Sequence, residues 1–112
     1  MPSGKVVSLI IAADEPALFF SSPEIAETYL EAADVRSGTY PEAYGPGGEP
    51  FDITADRFDQ VAIHRNEGSP ARPERVRAIV EGFLDACGIS HSADMPLAAL
   101  LALCAPYVDD GT

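Results

Sequence analysis

The groups of this chain that could do chemistry are few: two histidines (His64 and His91), two cysteines (Cys87 and Cys104), one glycine cluster and one run of aspartates. Cys87, Ser90 and His91 lie close enough in sequence to suggest a thiol–imidazole pair, in which the ring would draw the proton from sulfur. Against that, Cys87 falls on an apolar helical stripe, and a thiol buried there is inert. The glycine cluster at 45–48, GPGG, raises the question of a phosphate cradle. A phosphate loop needs a lysine and a hydroxyl residue leading into a helix. Here Glu49 and Asp52 follow, both repelling phosphate, and the pattern runs on into a strand. A hairpin turn is the expectation. Asp52, Asp56 and Asp59 form D-x-x-x-D-x-x-D, which lacks the alternation and central glycine of a calcium loop and reads as turn chemistry. There is no H-x-x-x-H, C-x-x-C or G-x-S-x-G, so no catalytic residue, metal site or cofactor is expected.

Charge is the feature that stands out. Eighteen acids against seven bases leave a net −11. Such a surface is a poor partner for nucleic acid or an anionic membrane, and it steers a basic protein partner instead. The charge is also unevenly placed. Between Asp14 and Asp59 eleven acids face only Arg36 and Arg57, whereas residues 64–77 hold Arg65, Arg72, Arg75 and Arg77. Pairing within a helix, for example Glu74 with Arg77, would account for the basic patch. The acidic half has too few bases for a similar account. Tyr40 and Tyr44, flanking Pro41 inside it, are of the residue type that anchors interfaces.

The elements that must carry these groups can be read from periodicity. Residues 5–12, KVVSLIIA, are apolar and β-branched, as in a central strand buried on both faces. Residues 17–20, ALFF, are a strand or a turn. Ser22 and Pro23 mark a helix start, and an apolar stripe (Ile25, Ala26, Tyr29, Leu30, Ala33) predicts a helix over 23–33 with Glu24, Glu27 and Glu31 on its outer face. TYPEAY, 39–44, reads as a short edge strand because of Pro41. EPFDIT and DRFDQVAIHR read as an antiparallel pair joined near Ala55 and Asp56. Val76, Ile79, Val80, Phe83, Leu84 and Cys87 form the cleanest amphipathic helix, closed by Gly88. Residues 95–105 form a last helix, apolar nearly all round, to be buried or covered by a second copy.

The expectation is one α+β domain, 1–112: a small, mostly antiparallel sheet of about three or four strands with about three helices on one face, in the order β-α-β-β-(β)-α-α. An acidic β-α-β-β half (1–65) is followed by a helical half (70–106) and a polar tail (107–112) that should fray. If the two C-terminal helices form a hairpin, Cys87 and Cys104 lie at its opposite ends, too far apart for a disulfide. Two free thiols suit a reducing compartment, no stretch approaches the ~20 apolar residues of a membrane span, and the β-branched start reads better as a strand than as a signal peptide. A cytoplasmic protein is expected.

The segment FFSSPEIAETYLEAADVRSGTYPEAYGPGGEPFDI (19–53) resembles the N-terminal half of small uncharacterised bacterial proteins. They share the Phe-ended strand, the Ser-capped helix closing in Tyr-Leu-Glu, Asp-Val-x-x-Gly-x-Tyr and a glycine turn. Some of these look like immunity proteins encoded beside secreted toxins, and the resemblance implies an interaction protein. Together with the acidity it points to an inhibitor that docks a basic partner, possessing a contact surface of Glu24, Glu27, Glu31, Asp34, Tyr40, Glu42, Tyr44, Glu49, Asp52, Asp56 and Asp59. Two other readings stand beside it: a self-associating structural or regulatory domain that dimerises through the last helix, and a small enzyme with a pocket holding at least two of His64, Asp52, Asp56 and Asp59.

Overall fold

The computed structural model describes residues 6–13 and 16–111. Lys5 of the expected first strand, Asp14 and Glu15 of the break after it, and Thr112 of the tail lie outside the described residues. Six strands form one sheet in the order β5-β4-β3-β1-β2-β6. In chain order they are β1 (Leu9–Ala12), β2 (Ala17–Phe20), β3 (Glu42–Tyr44), β4 (Pro50–Ala55), β5 (Val61–Arg65) and β6 (Val108–Asp109). All neighbours are antiparallel except β2 and β6, which run parallel. The described residues also form four α-helices: α1 (Pro23–Tyr29), α2 (Ala32–Ser37), α3 (Pro73–Ala86) and α4 (Leu97–Leu103). The α+β class stands, but the sheet has more strands than expected, and helices cover both of its faces rather than one.

The reason is legible in β1. It is central, as its β-branched run predicts, and alternation sends its side chains both ways. Leu9 and Ile11 join Phe20, Ala26, Leu30, Ala43 and Ile63 under α1 and α2. Ile10 joins Phe19, Tyr44, Val76, Val80, Leu84 and Leu100 under α3 and α4. A strand apolar on both faces needs a cover on each, so the structure has two cores separated by one sheet. The strand itself starts at Leu9, later than the expected Lys5, and ALFF is its hairpin partner β2.

Ser22 caps α1 as its type predicts, its Oγ accepting from the Ile25 amide at 3.2 Å, with Pro23 in the first turn. The single helix expected over 23–33 is two helices instead. Leu30 and Glu31 are extended (ψ 141° and 137°). This break brings α1 against β5 and α2 against β4. It also turns Ala32 inward and leaves Ala33 and Tyr29, both on the expected stripe, exposed. Arg36-Ser37-Gly38 does end a helix: Gly38, at φ 82°, lets Thr39 N–H reach back to the Asp34 carbonyl at 3.1 Å.

TYPEAY yields β3, but β3 lies between β1 and β4, not at an edge, because Pro41 falls just before the strand and leaves the ladder intact. GPGG is a hairpin turn between β3 and β4, and Gly45 N–H donates to the Glu49 carbonyl at 2.8 Å. It has a second task. Gly48 (φ 91°) takes the start of α3 against its backbone, its carbonyl accepting from Arg72 N–H at 2.8 Å, and a Cβ there would overlap the backbone of Arg72 and Pro73.

The β4–β5 turn is longer than expected. Asp56 Oδ1 accepts from Phe58 and Gln60 amides at 2.8 and 3.0 Å, and Asp59 adopts φ 64°, so the strand begins only at Val61. Val61 and Ile63 share the inward face as predicted, while Phe58 stands out from the turn.

Helix α3 buries Val76, Ile79, Val80, Phe83 and Leu84, as its stripe predicts. Gly88 (φ 69°) closes it, and Ile89 N–H reaches the Leu84 carbonyl at 2.9 Å. Cys87 is exposed, contrary to its place on the stripe, because the helix ends at Ala86 and the chain turns there. The connection to α4 then runs back along α3. Arg77 donates to the carbonyls of Met95 and Ala93 at 2.7 and 2.8 Å, and beyond α4 Tyr107 meets Phe83 edge-on at 5.2 Å. So α4 starts beside the first half of α3 and ends beside its second half. The hairpin arrangement, with the cysteines at opposite ends, does not occur. Burial pushes the Cys104 thiol up to about 11, and Cys87 is near enough for its charge to add to the shift.

Helix α4 is shorter than its apolar run, and only Leu100 is fully buried. The tail is the largest correction. Residues 107–109 do not fray: β6 pairs Val108 with Phe19 and Asp109 with Phe20, Val108 is buried, and Ser21 N–H donates to the Asp109 carbonyl at 3.0 Å. Among the described residues no helix is long and apolar enough to cross a membrane.

Candidate protein-binding surface

The sequence-predicted acids separate into groups with different tasks. Glu42 is part-buried and committed to partners within the fold. Its Oε1 and Oε2 accept from Arg75 Nε and Nη2 at 2.9 and 2.6 Å, and Oε1 also takes the Tyr44 hydroxyl at 2.6 Å. The bond from Arg75 holds the Glu42 carboxyl below the usual carboxylate range, against an opposing effect of burial. The same bond raises Arg75. Tyr44 is 4% exposed and part of the core, where burial, followed by its bond to Glu42, pushes its phenol up. This network fastens α3 to the middle of the sheet. Tyr44 is therefore no surface anchor, and Tyr40 packs half-buried against the core beneath α1 and α2. Glu49 is spent on its own turn, where Oε1 accepts from Gly47 N–H at 3.0 Å.

Glu27 has a structural task as well. β5 is an outer strand, and the outward-pointing N–H of Ile63 donates to Glu27 Oε2 at 2.7 Å. A carboxylate from α1 thus occupies part of an edge that would otherwise invite another strand. The basic patch of residues 65–77 resolves into similar fastenings: Arg75 to Glu42, Arg77 to Glu81 at 3.3 Å and to two carbonyls, and Arg72 to Glu74 at 3.3 Å. The expected Glu74–Arg77 pair is not among them.

Five of the remaining acids lie on one lobe, made of α1 and α2 over the β4–β5 hairpin. Glu24 and Glu31 are exposed and carry no ion pair among the described residues. Asp34 lies in the first turn of α2. Asp56 and Asp59 form the hairpin tip, which Arg36 clamps through the Asp56 carbonyl and the Asp59 carboxylate, the latter at 2.8 Å. Asp52 sits on the outer face of β4, opposite His64. Glu24, Glu31, Asp34, Asp56 and Asp59 therefore lie on α1, α2 and the hairpin tip, Asp52 lies on the opposite face of the sheet, and Glu42, Tyr44 and Glu49 are engaged in contacts of their own. Arg36, whose guanidinium is committed to the tip, leaves the lobe strongly negative.

Aromatic groups at the surface are not those the sequence suggested. Phe58 is 69% exposed at the acidic tip, with the Arg57 guanidinium 4.8 Å from its ring centroid. Tyr29 and Tyr107 are 54% and 48% exposed. Each was hidden by an error of element: Phe58 by the assumed strand, Tyr29 by the unbroken helix, Tyr107 by the assumed fraying.

The candidate reactive groups are dispersed. His91 Nε2 lies 2.8 Å from Asp85, not against Cys87. Three clefts among the described residues are lined by residues other than His64, Asp52, Asp56 and Asp59. No protein-family model, curated protein or solved structure matches the chain.

Proposed function

We propose that this is a small acidic binding domain that docks a cationic protein partner through the lobe of α1, α2 and the β4–β5 hairpin, as an immunity-type inhibitor covers a basic toxin or enzyme. One observation carries the proposal: Phe58 is 69% exposed at the hairpin tip between Asp56 and Asp59, and Glu24 and Glu31, exposed at α1 and α2, carry no ion pair among the described residues. An exposed aromatic ring flanked by carboxylates suits a surface that attracts a partner electrostatically and then desolvates one ring. The resemblance of residues 19–53 to immunity-like proteins points the same way. Blocking would be steric, and where the partner is a nuclease the carboxylates would stand in for substrate phosphates.

The test is affinity capture from the source cell, followed by titration of the recovered partner against the Glu24→Lys/Glu31→Lys and Phe58→Ala variants. Glu27 is left in place because it holds the β5 edge. Each variant should weaken binding about tenfold or more, and the charge variant should also flatten the salt dependence. Recovery of no partner, or variants that bind like the parent, would refute the proposal.

A second reading, self-association, is favoured by the far side of α4. Ala98, Leu101 and Ala102 form an open apolar strip with Val6 and Pro46, lining a shallow cleft of about 320 Å³. Sedimentation across a dilution series decides it: a dimer that Leu101→Glu dissociates supports it, and a monomer at all concentrations removes it.

A further inference from the structure

A different cleft lies where β6 stops. β6 covers only Phe19 and Phe20 of β2, so Ala17 and Leu18 form an open length of sheet edge. The two helical layers overhang that gap from opposite faces. α1 contributes Tyr29 from one side. Phe83 of α3 and Tyr107, in the 3-10 turn Ala105–Tyr107, come from the other, with Phe20 at the floor and Asp109 of β6 at the rim. The cleft encloses about 340 Å³, the size of a small-molecule site.

Its walls are corners, not a flat stack. Phe83 and Tyr107 meet at 5.2 Å and 75°, and Phe20 and Tyr29 at 5.4 Å and 60°. Phe20 and Phe83 are 1% and 7% exposed, so the open aromatic surface of the cleft is that of Tyr29 and Tyr107. A carboxylate completes the boundary, and none of the side chains lining the cleft is basic. Apolar walls with a negative potential suit neither an anion nor a neutral sugar. They suit a cation whose charge is spread under methyl groups, because it sheds water cheaply and is drawn to ring faces. The protein's net charge of −11 favours the same ligand at longer range.

We infer that this aromatic cleft binds a quaternary ammonium group, held against Tyr29 and Tyr107 with Asp109 as counter-charge. The cleft shares α1 with the acidic lobe through Tyr29, but none of the acids of the docking surface lines it, and the inference does not depend on the docking proposal. The same headgroup could arrive on a small choline-type molecule or on a trimethylated lysine, and the experiment separates the two.

Binding is measured by calorimetry with choline, with a trimethyl-lysine peptide and with 3,3-dimethylbutanol, which has the shape of choline without its charge. At least one ammonium ligand should bind about tenfold or more tightly than the neutral isostere. Tyr29→Leu and Tyr107→Leu keep apolar area but remove a π face. Both positions are half-exposed, so the fold should survive, and each should weaken the ammonium ligand about fivefold. Asp109→Asn should weaken it about threefold or more, whereas Asp52→Asn, which neutralises one carboxylate that does not line the cleft, should leave it unchanged, and this separates a local counter-charge from general acidity. Choline binding with no response to the peptide assigns a small-molecule site; the reverse assigns a modified-protein site. No saturable binding by either ligand, an isostere that binds equally well, or folded tyrosine variants that bind like the parent would overturn the inference.

Discussion

Replacing Glu42 by glutamine tests whether the polar network beneath α3 holds the two halves of this protein together. Glu42 accepts two bonds from Arg75, at 2.9 and 2.6 Å, and one from the Tyr44 hydroxyl at 2.6 Å. Charge-assisted bonds contribute about 1.5–3 kcal/mol net when well buried. Here the side chains of Glu42 and Arg75 are 30% and 36% exposed, so solvent screening reduces the figure, and glutamine retains one acceptor. The expected loss is about 1–2 kcal/mol at neutral pH, or about 4–8 °C in Tm for a chain of this length. The pH dependence is more specific. The Glu42 carboxyl is held below its ordinary value, mainly by Arg75. A depressed carboxylate contributes stability that is fully present above its unfolded value of about 4.3 and is lost as pH falls through the folded value. The parent should therefore exceed Glu42→Gln by its full margin above about pH 5, and the gap should close below about pH 4. Thermal unfolding followed by circular dichroism from acid to neutral pH measures it, and the difference curve cancels the other carboxylates. An unchanged Tm at pH 7, or a gap as wide in acid as at neutrality, would refute the reasoning.

Three other outcomes follow from the geometry. Gly48→Ala should lower Tm by about 8 °C or more, because φ 91° and the backbone of Pro73 leave no room for a Cβ, whereas Gly82→Ala, exposed in α3 with open space around it, should raise Tm by about 2–4 °C. Deleting residues 108–112 should cost about 2 kcal/mol and deprotect the Ser21 amide in hydrogen exchange, since Val108 is buried and Asp109 accepts from that amide; a fraying tail would leave both unchanged. With a thiol reagent, native protein should react at Cys87 alone, and Cys104, buried and pushed up to about 11, should react only in denaturant.

Local signals in the chain predicted local structure well. Ser22-Pro23 starts a helix, Gly88 ends one, GPGG turns a hairpin, and the α3 stripe is buried as spaced. These motifs act within a turn or two of backbone, so residue type alone decides them. What lies further apart did not show. Nothing near Val108 marks it as a strand, because its partners Phe19 and Phe20 are some ninety residues away and β6 exists only where β2 offers an edge. The break at Leu30 answers to the positions of β4 and β5, not to any breaker in the sequence.

The acidic half was visible as composition, but which acids remain on the surface was not. Glu27 and Glu42 look like Glu24 and Glu31 in the sequence. They differ because folding places one beside the free Ile63 amide and the other beside Arg75. Tyr44 was drawn inward by alternation along an interior strand, while Tyr29 and Tyr107 were left half-exposed around one cleft. Sequence alone determined the caps, the turns, the amphipathic stripes and the net charge, since each depends on near neighbours or on composition. Tertiary structure decided the strand order, the fate of each carboxylate and the meeting of aromatic rings from α1, α3 and the tail, since those depend on contacts between segments that no local pattern specifies.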